Sequence, residues 1–119
     1  MTDPVDQLTT DMARARLASA AAAFVFAAPD AFTPDMKGGK RSVTFVRQVA
    51  MYLTHVSFGM NLNRVAMAFG RDRSTAAHAC HKIEDCRDDP SLDEILDQLE
   101  DGLRALPEPV GGAALARCA

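Results

Sequence analysis

One stretch, Asn61 to Lys82, leaves this chain little freedom in how it folds. Leu62, Val65, Ala66 and Phe69 recur at i, i+3, i+4 and i+7, the apolar spacing of a short amphipathic helix. Gly70 follows at once and reads as a left-handed closing residue. A second helix then opens at Arg73, with Asp72 as its N-cap and Ala76, Ala79, Cys80 and Ile83 as its apolar stripe through Cys86. Two short helices joined by a tight glycine turn are the layout of a helix-turn-helix, in which the first helix braces the second at the angle needed to enter a major groove. Small side chains at Ala66, Ala68, Ala76 and Ala79 let two such helices approach closely.

The flanking sequence is also helical. A first helix is predicted from Gln7 to Ala28, stopped by Pro29, with only its Ala-rich second half packed deeply. A turn or single helical turn follows through Asp30–Phe32 and Pro34–Met36, and then a flexible basic loop, Lys37-Gly38-Gly39-Lys40-Arg41. A second helix runs from Ser42 to Ser57 with Val46, Val49, Ala50, Leu53 and Val56 on one side, and Gly59 breaks it. Ser91 and Glu94 form a capping-box pattern for a last helix through Leu106, with Leu92, Ile95, Leu96, Leu99, Leu103 and Leu106 facing the core and Asp93, Asp97, Glu100 and Asp101 turned away. Met51, Met60 and Met67 read as core fillers. The expected architecture is an all-α, compact multi-helix domain over residues 1–106, a reader core at 37–87 and a disordered tail at 107–119.

Net charge is −3, which on its face disfavours a nucleic-acid partner, but the distribution of charge points the other way. Residues 36–87 carry nine Lys and Arg (Lys37, Lys40, Arg41, Arg47, Arg64, Arg71, Arg73, Lys82, Arg87) against Asp72, Glu84 and Asp85. Both flanks are acidic. A concentrated basic patch, rather than overall charge, attracts a phosphate backbone. Cys80, Cys86 and Cys118 form no CxxC pair and are odd in number, which fits reduced thiols in a cytoplasm. The apolar run Leu17 to Ala28 is too short to span a bilayer, and Asp3, Asp6 and Asp11 stand where a secretory signal carries positive charge. A cytoplasmic, nucleoid-associated protein is expected, without a membrane partner.

Polar side chains able to read base edges gather at the start of the fourth helix, where the positive end of the helix dipole also faces phosphates: Arg73, Ser74 and His78 project away from the apolar stripe, with Thr75 near its edge. Asp72 can accept from a cytosine amino group or cap its own helix. His78, Cys80, His81 and Cys86 do not make a metal site, because Cys80 lies on the apolar stripe while His78 points elsewhere. No nucleophilic triad order and no GxxxxGK[ST] phosphate loop is present, so neither an enzyme nor a cofactor is expected.

Two blocks add a family resemblance. Arg47-Gln48-Val49-Ala50-Met51-Tyr52-Leu53, followed by Ala68-Phe69-Gly70-Arg71-Asp72-Arg73-Ser74-Thr75-Ala76-Ala77-His78-Ala79-Cys80-His81-Lys82-Ile83-Glu84, resembles the C-terminal DNA-binding domain of the bacterial initiator DnaA, with its RQ-x-AMYL and AFGGRDHSTVLHACRKIE pattern. The resemblance extends from about Ala20 through the last helix. It implies a basic loop (Lys37, Lys40, Arg41) at the minor groove, Arg47 and Gln48 near the DNA backbone or the neighbouring Asp, and Asp72, Arg73, Ser74, Thr75 and His78 at bases or phosphates. Arg71 is then a phosphate contact.

Three departures bear on specificity. Arg73 stands where the family has histidine, and a guanidinium favours the O6/N7 edge of guanine, a swap worth ~1–3 kcal/mol at one base pair. One of two turn glycines is missing. Gly39 occupies the place where the family often has its minor-groove arginine, so that Lys40 or Arg41 substitutes or the contact is lost. Function is therefore expected to be sequence-specific binding of double-stranded DNA by a freestanding reader domain acting as a transcriptional regulator, recognition helix 73–86 in the major groove, with RNA polymerase or a co-regulator as partner of the acidic C-terminal helix. The alternatives are a modulator of replication initiation that competes for DnaA-type sites, and a protein-interaction module that no longer touches DNA.

Overall fold

A computed structural model describes residues 4–26 and 39–109, with side chains from Asp6 and Val43 onward in the two segments. Five helices and no strand occur among them: α1 (Pro4–Phe26), α2 (Gly39–Phe58), α3 (Leu62–Phe69), α4 (Arg73–Cys86) and α5 (Pro90–Arg104). The all-α expectation holds. α1 starts at a proline, which the first helical position tolerates because its missing N–H would be unsatisfied there anyway. Its predicted end at Ala28, and the turn at 30–36, lie outside the described residues.

α2 is the axis of the fold. Every residue from Val49 to Thr54 is buried, so the helix is covered on all sides rather than along the single predicted stripe. Burial all round leaves two hydroxyls to satisfy: Thr54 donates to the Ala50 carbonyl at 2.7 Å, and Tyr52 accepts from Arg87 at 3.0 Å. Around α2, Ala18 and Ala22 of α1, Cys80 and Ile83 of α4, and Leu96 and Leu103 of α5 close one hydrophobic cluster. A second cluster holds the helix-turn-helix itself: Met51, Met60, Val65, Ala66, Ala76 and Ala79. Met67 is not part of it. That methionine is 65% exposed, because it falls on the outer side of α3, half a turn from Val65.

α1 packs further toward its N-terminus than its composition predicts. Asp11 is buried, and its carboxylate accepts from Arg64 of α3 through Nε (2.9 Å) and a terminal nitrogen (2.7 Å). This bidentate pair ties α1 to the brace helix 53 residues away. α5 begins one residue before the predicted capping box. Asp89 is the N-cap, accepting from the Ser91 amide at 3.0 Å, and Pro90 takes the first helical position. An Asp–Pro pair does both jobs at once, which leaves no role for Ser91 as a cap. Beyond α5, Glu108 of the expected tail pairs with Arg14 at 2.6 Å. Residues 110–119 lie outside the described chain.

No helix among the described residues is long and apolar enough to cross a membrane.

Candidate nucleic-acid interface

The turn between α3 and α4 is built as its sequence dictates. Asn61 caps α3 by accepting from the Arg64 amide at 2.9 Å. Gly70 sits at φ 65°, ψ 37°, the left-handed conformation that closes the helix. Its amide reaches Met67 O (3.2 Å) and the next amide, Arg71, reaches Ala66 O (2.9 Å), the paired bonds of a Schellman motif. The chain then needs only Arg71 and Asp72 before α4 starts. Ala66 and Ala76 are both buried within the second cluster, so the two axes approach closely.

What this geometry presents is the opening of α4. Ala76, Ala79, Cys80 and Ile83 face inward, and Arg71, Asp72, Arg73, Ser74, Thr75 and His78 are all exposed. Asp72 occupies the N-cap position yet makes no side-chain cap hydrogen bond. Of the two roles open to it, capping is the one its carboxylate does not perform. His81 and Lys82 are exposed one turn further along, on the face of Ser74 and His78. Neither is among the residues the sequence assigns to DNA, although their i+3, i+4 and i+8 spacing from His78 and Ser74 carries the signal.

Charge separates the arginines into two groups. Arg64 is consumed by Asp11, whose hydrogen bonds raise the Arg64 pKa further. Arg87 is enclosed by Asp93, Asp97 and Glu100 and bonds the Tyr52 hydroxyl at 3.0 Å. Burial alone would lower the Arg87 pKa, but the bonds to Asp93, Tyr52 and Asp97 outweigh it and hold the charge on. Burial raises the Tyr52 pKa despite the neighbouring guanidinium. Both arginines belong to the basic middle of the sequence, and both are structural. Arg47, Arg71 and Arg73, in contrast, form no ion pair among the described residues.

The second expected element is only partly in view. α2 begins at Gly39, three residues ahead of the predicted start, so Lys40 and Arg41 belong to the first helical turn and not to a loop. Glycine is accepted at a helix start, and the lysine and arginine after it are good helix formers. Lys37 lies outside the described residues. Arg47 and Gln48 follow two turns on, both half-buried, and the Gln48 Oε1 is buried with no hydrogen-bond partner among the described residues.

A glycine-closed pair of short helices with an exposed polar opening to the second is the layout of a helix-turn-helix DNA-binding module. Residues 33–83, a segment under half of the chain, match the family described as bacterial DnaA protein helix-turn-helix. Among curated relatives, the chromosomal replication initiator protein DnaA of Levilactobacillus brevis is 40% identical over 79 residues, 63% of this chain and 18% of that protein. Its counterpart in Symbiobacterium thermophilum is 36% identical over 73 residues, 60% of this chain and 16% of that one. The Bifidobacterium animalis subsp. lactis initiator is 49% identical over 49 residues, covering 40% and 8%. The chain thus spans less than a fifth of the length of these initiators. No solved structure matches it.

Proposed function

We propose that this chain binds double-stranded DNA sequence-specifically and acts as a transcriptional regulator, with α4 in the major groove and the basic start of α2, with Lys37 before it, at the adjacent minor groove. One observation carries the reading: the cations at the opening of α4, Arg71 and Arg73, are exposed and hold no carboxylate among the described residues, while Arg64 and Arg87 are locked inside the fold. A guanidinium left free at a positive helix end is suited to phosphate and to guanine. Ser74, Thr75 and His78 supply neutral donors and acceptors beside it, and Asp72 an uncommitted acceptor.

Genome-wide mapping of bound DNA, followed by gel shift on the recovered fragments, tests this. Promoter fragments with a guanine opposite Arg73 are the expected result, and Arg73→Ala then relaxes the preference at that base pair by ~1–3 kcal/mol. Absence of any retained fragment at physiological salt would sink the reading. The family match favours a second one, competition with the initiator for DnaA-type sites. Recovery of intact DnaA boxes near an origin, in place of promoters, decides for it.

A further inference from the structure

We propose that Arg16 of α1 is a further contact to the DNA phosphate backbone, extending the interface beyond the helix-turn-helix; the proposal rests on the DNA-binding reading above. Eight arginines have described side chains, and their partners sort them. Arg14, Arg64, Arg87 and Arg104 each hold at least one carboxylate. Arg16, Arg47, Arg71 and Arg73 hold none among the described residues. Three of those four belong to the proposed DNA interface, and Arg16 is the remaining one.

Its position follows from the way α1 runs beside α3. The Asp11–Arg64 pair fixes the register at the start of α3, and the next turns of α1 then follow α3 toward its end. Arg16 lines a cleft with Met12, Ala15 and Ser19 on one wall and Ala68 and Phe69 on the other. Phe69 is the last residue of α3, directly before Gly70 and Arg71. The exposed Arg16 therefore flanks the turn that delivers the recognition helix. Arg14, two residues earlier on the same helix, illustrates the contrast. It is turned toward the Phe58 ring at 5.9 Å and pairs with Glu108, so its charge serves the fold. The Ser19 hydroxyl is likewise committed, donating to Ala15 O at 2.7 Å. Arg16 has no such commitment, and a guanidinium beside the entry point of a recognition helix is suited to a flanking phosphate.

Binding of the full chain to a duplex recovered in the genome-wide mapping above and to an unrelated duplex of equal length, titrated over ~50–200 mM salt, tests the assignment. Arg16→Ala is expected to weaken binding to both duplexes alike, roughly three- to tenfold, and to make the slope of log K against log salt shallower by about 0.9, the loss of one phosphate contact. Arg16→Lys restores most of the slope, and neither variant changes the thermal midpoint. If Arg16→Ala binds both duplexes like the parent, with an unchanged slope, while Arg73→Ala in the same titration loses sequence preference, the proposal is overturned and DNA binding stands. A lowered midpoint for Arg16→Ala also overturns it, since the residue then supports the fold. A parent chain that binds neither duplex overturns the DNA reading and this contact with it.

Discussion

At the scale of single residues, the deciding distinction is between charges the fold has used and charges it has left free. Asp11 is the clearest case of use, with a side chain 3% exposed and two bonds from Arg64. Arg64→Ala leaves that carboxylate buried with only Arg14 at 3.5 Å, and is expected to cost about 2–3 kcal/mol in urea unfolding, below the full value for a buried pair because Arg64 itself is 31% exposed. Replacing both partners, Asp11→Leu with Arg64→Met, should cost less than the single change, because no orphaned charge remains. A double variant less stable than the single would show that packing, not charge, is what the pair provides. Cys80 gives a second, titratable test. Burial pushes its thiol up from the ordinary 9.0 to about 11, with Glu84 adding to the shift. A raised folded value means the protonated form is favoured by folding, so this contribution is complete below pH 9 and is lost as pH climbs through 11. Thermal midpoints should be level from about pH 7 to 8.5 and then fall, and Cys80→Ala should flatten part of that decline, with Tyr52, whose pKa burial also raises, contributing another part. An identical alkaline decline in both proteins would remove Cys80 as a cause.

Among the elements, the helix-turn-helix is the most legible from sequence and the contacts of α1 the least. Gly70 shows why the first is local. Its φ of 65° costs backbone energy alone, since an added Cβ would meet nothing within 4 Å. Gly70→Ala is therefore expected to cost about 1–2 kcal/mol of stability without a steric clash, measured as a lowered melting midpoint with an unchanged circular dichroism spectrum. A loss of helical signal would instead mean that the turn had reorganised. The stripe of α4, the glycine and the caps each depend on neighbours within a few positions, and sequence spacing reports those directly. The Asp11–Arg64 pair joins positions 53 apart, and nothing in the polar start of α1 announces it. Arg87 adds to the basic middle of the sequence but to no free surface, for the same reason: Asp93 and Asp97 lie near it in the chain, but the Tyr52 hydroxyl that completes the cage comes from α2. Glu108 reaching back to Arg14 is equally out of view. At the candidate interface, the exposure of Arg71 to Thr75 and of His78 follows from the α4 stripe and needs no distant partner. The expected basic loop differs from Gly39 onward, where the helix propensity of Lys40 and Arg41 places the chain in the first turn of α2.

For the whole molecule, the question is whether the helix-turn-helix can hold its shape unaided. The family match covers residues 33–83, which includes α2, α3 and most of α4 but neither α1 nor α5. α2 nevertheless presents Val49, Ala50 and Leu53 to Ala18, Ala22, Leu96 and Leu103, all within one cluster. Removing α1 and α5 takes away that cover, and each large apolar side chain so exposed forfeits about 1.5–3 kcal/mol. Against a total stability of only about 5–15 kcal/mol, the loss of several is decisive. α3 would also lose the clamp from Asp11, so its packing against α4 would rest on the second cluster alone. A fragment of residues 39–86 is accordingly expected to show weak, non-cooperative helical signal on heating, where the full chain melts in one transition. It should bind DNA more weakly than the full chain even at low salt, since the helices must order at the moment of binding. A fragment that melts cooperatively near the parent midpoint would place the stability inside the helix-turn-helix, and α1 and α5 would then be additions to a self-sufficient reader rather than its frame.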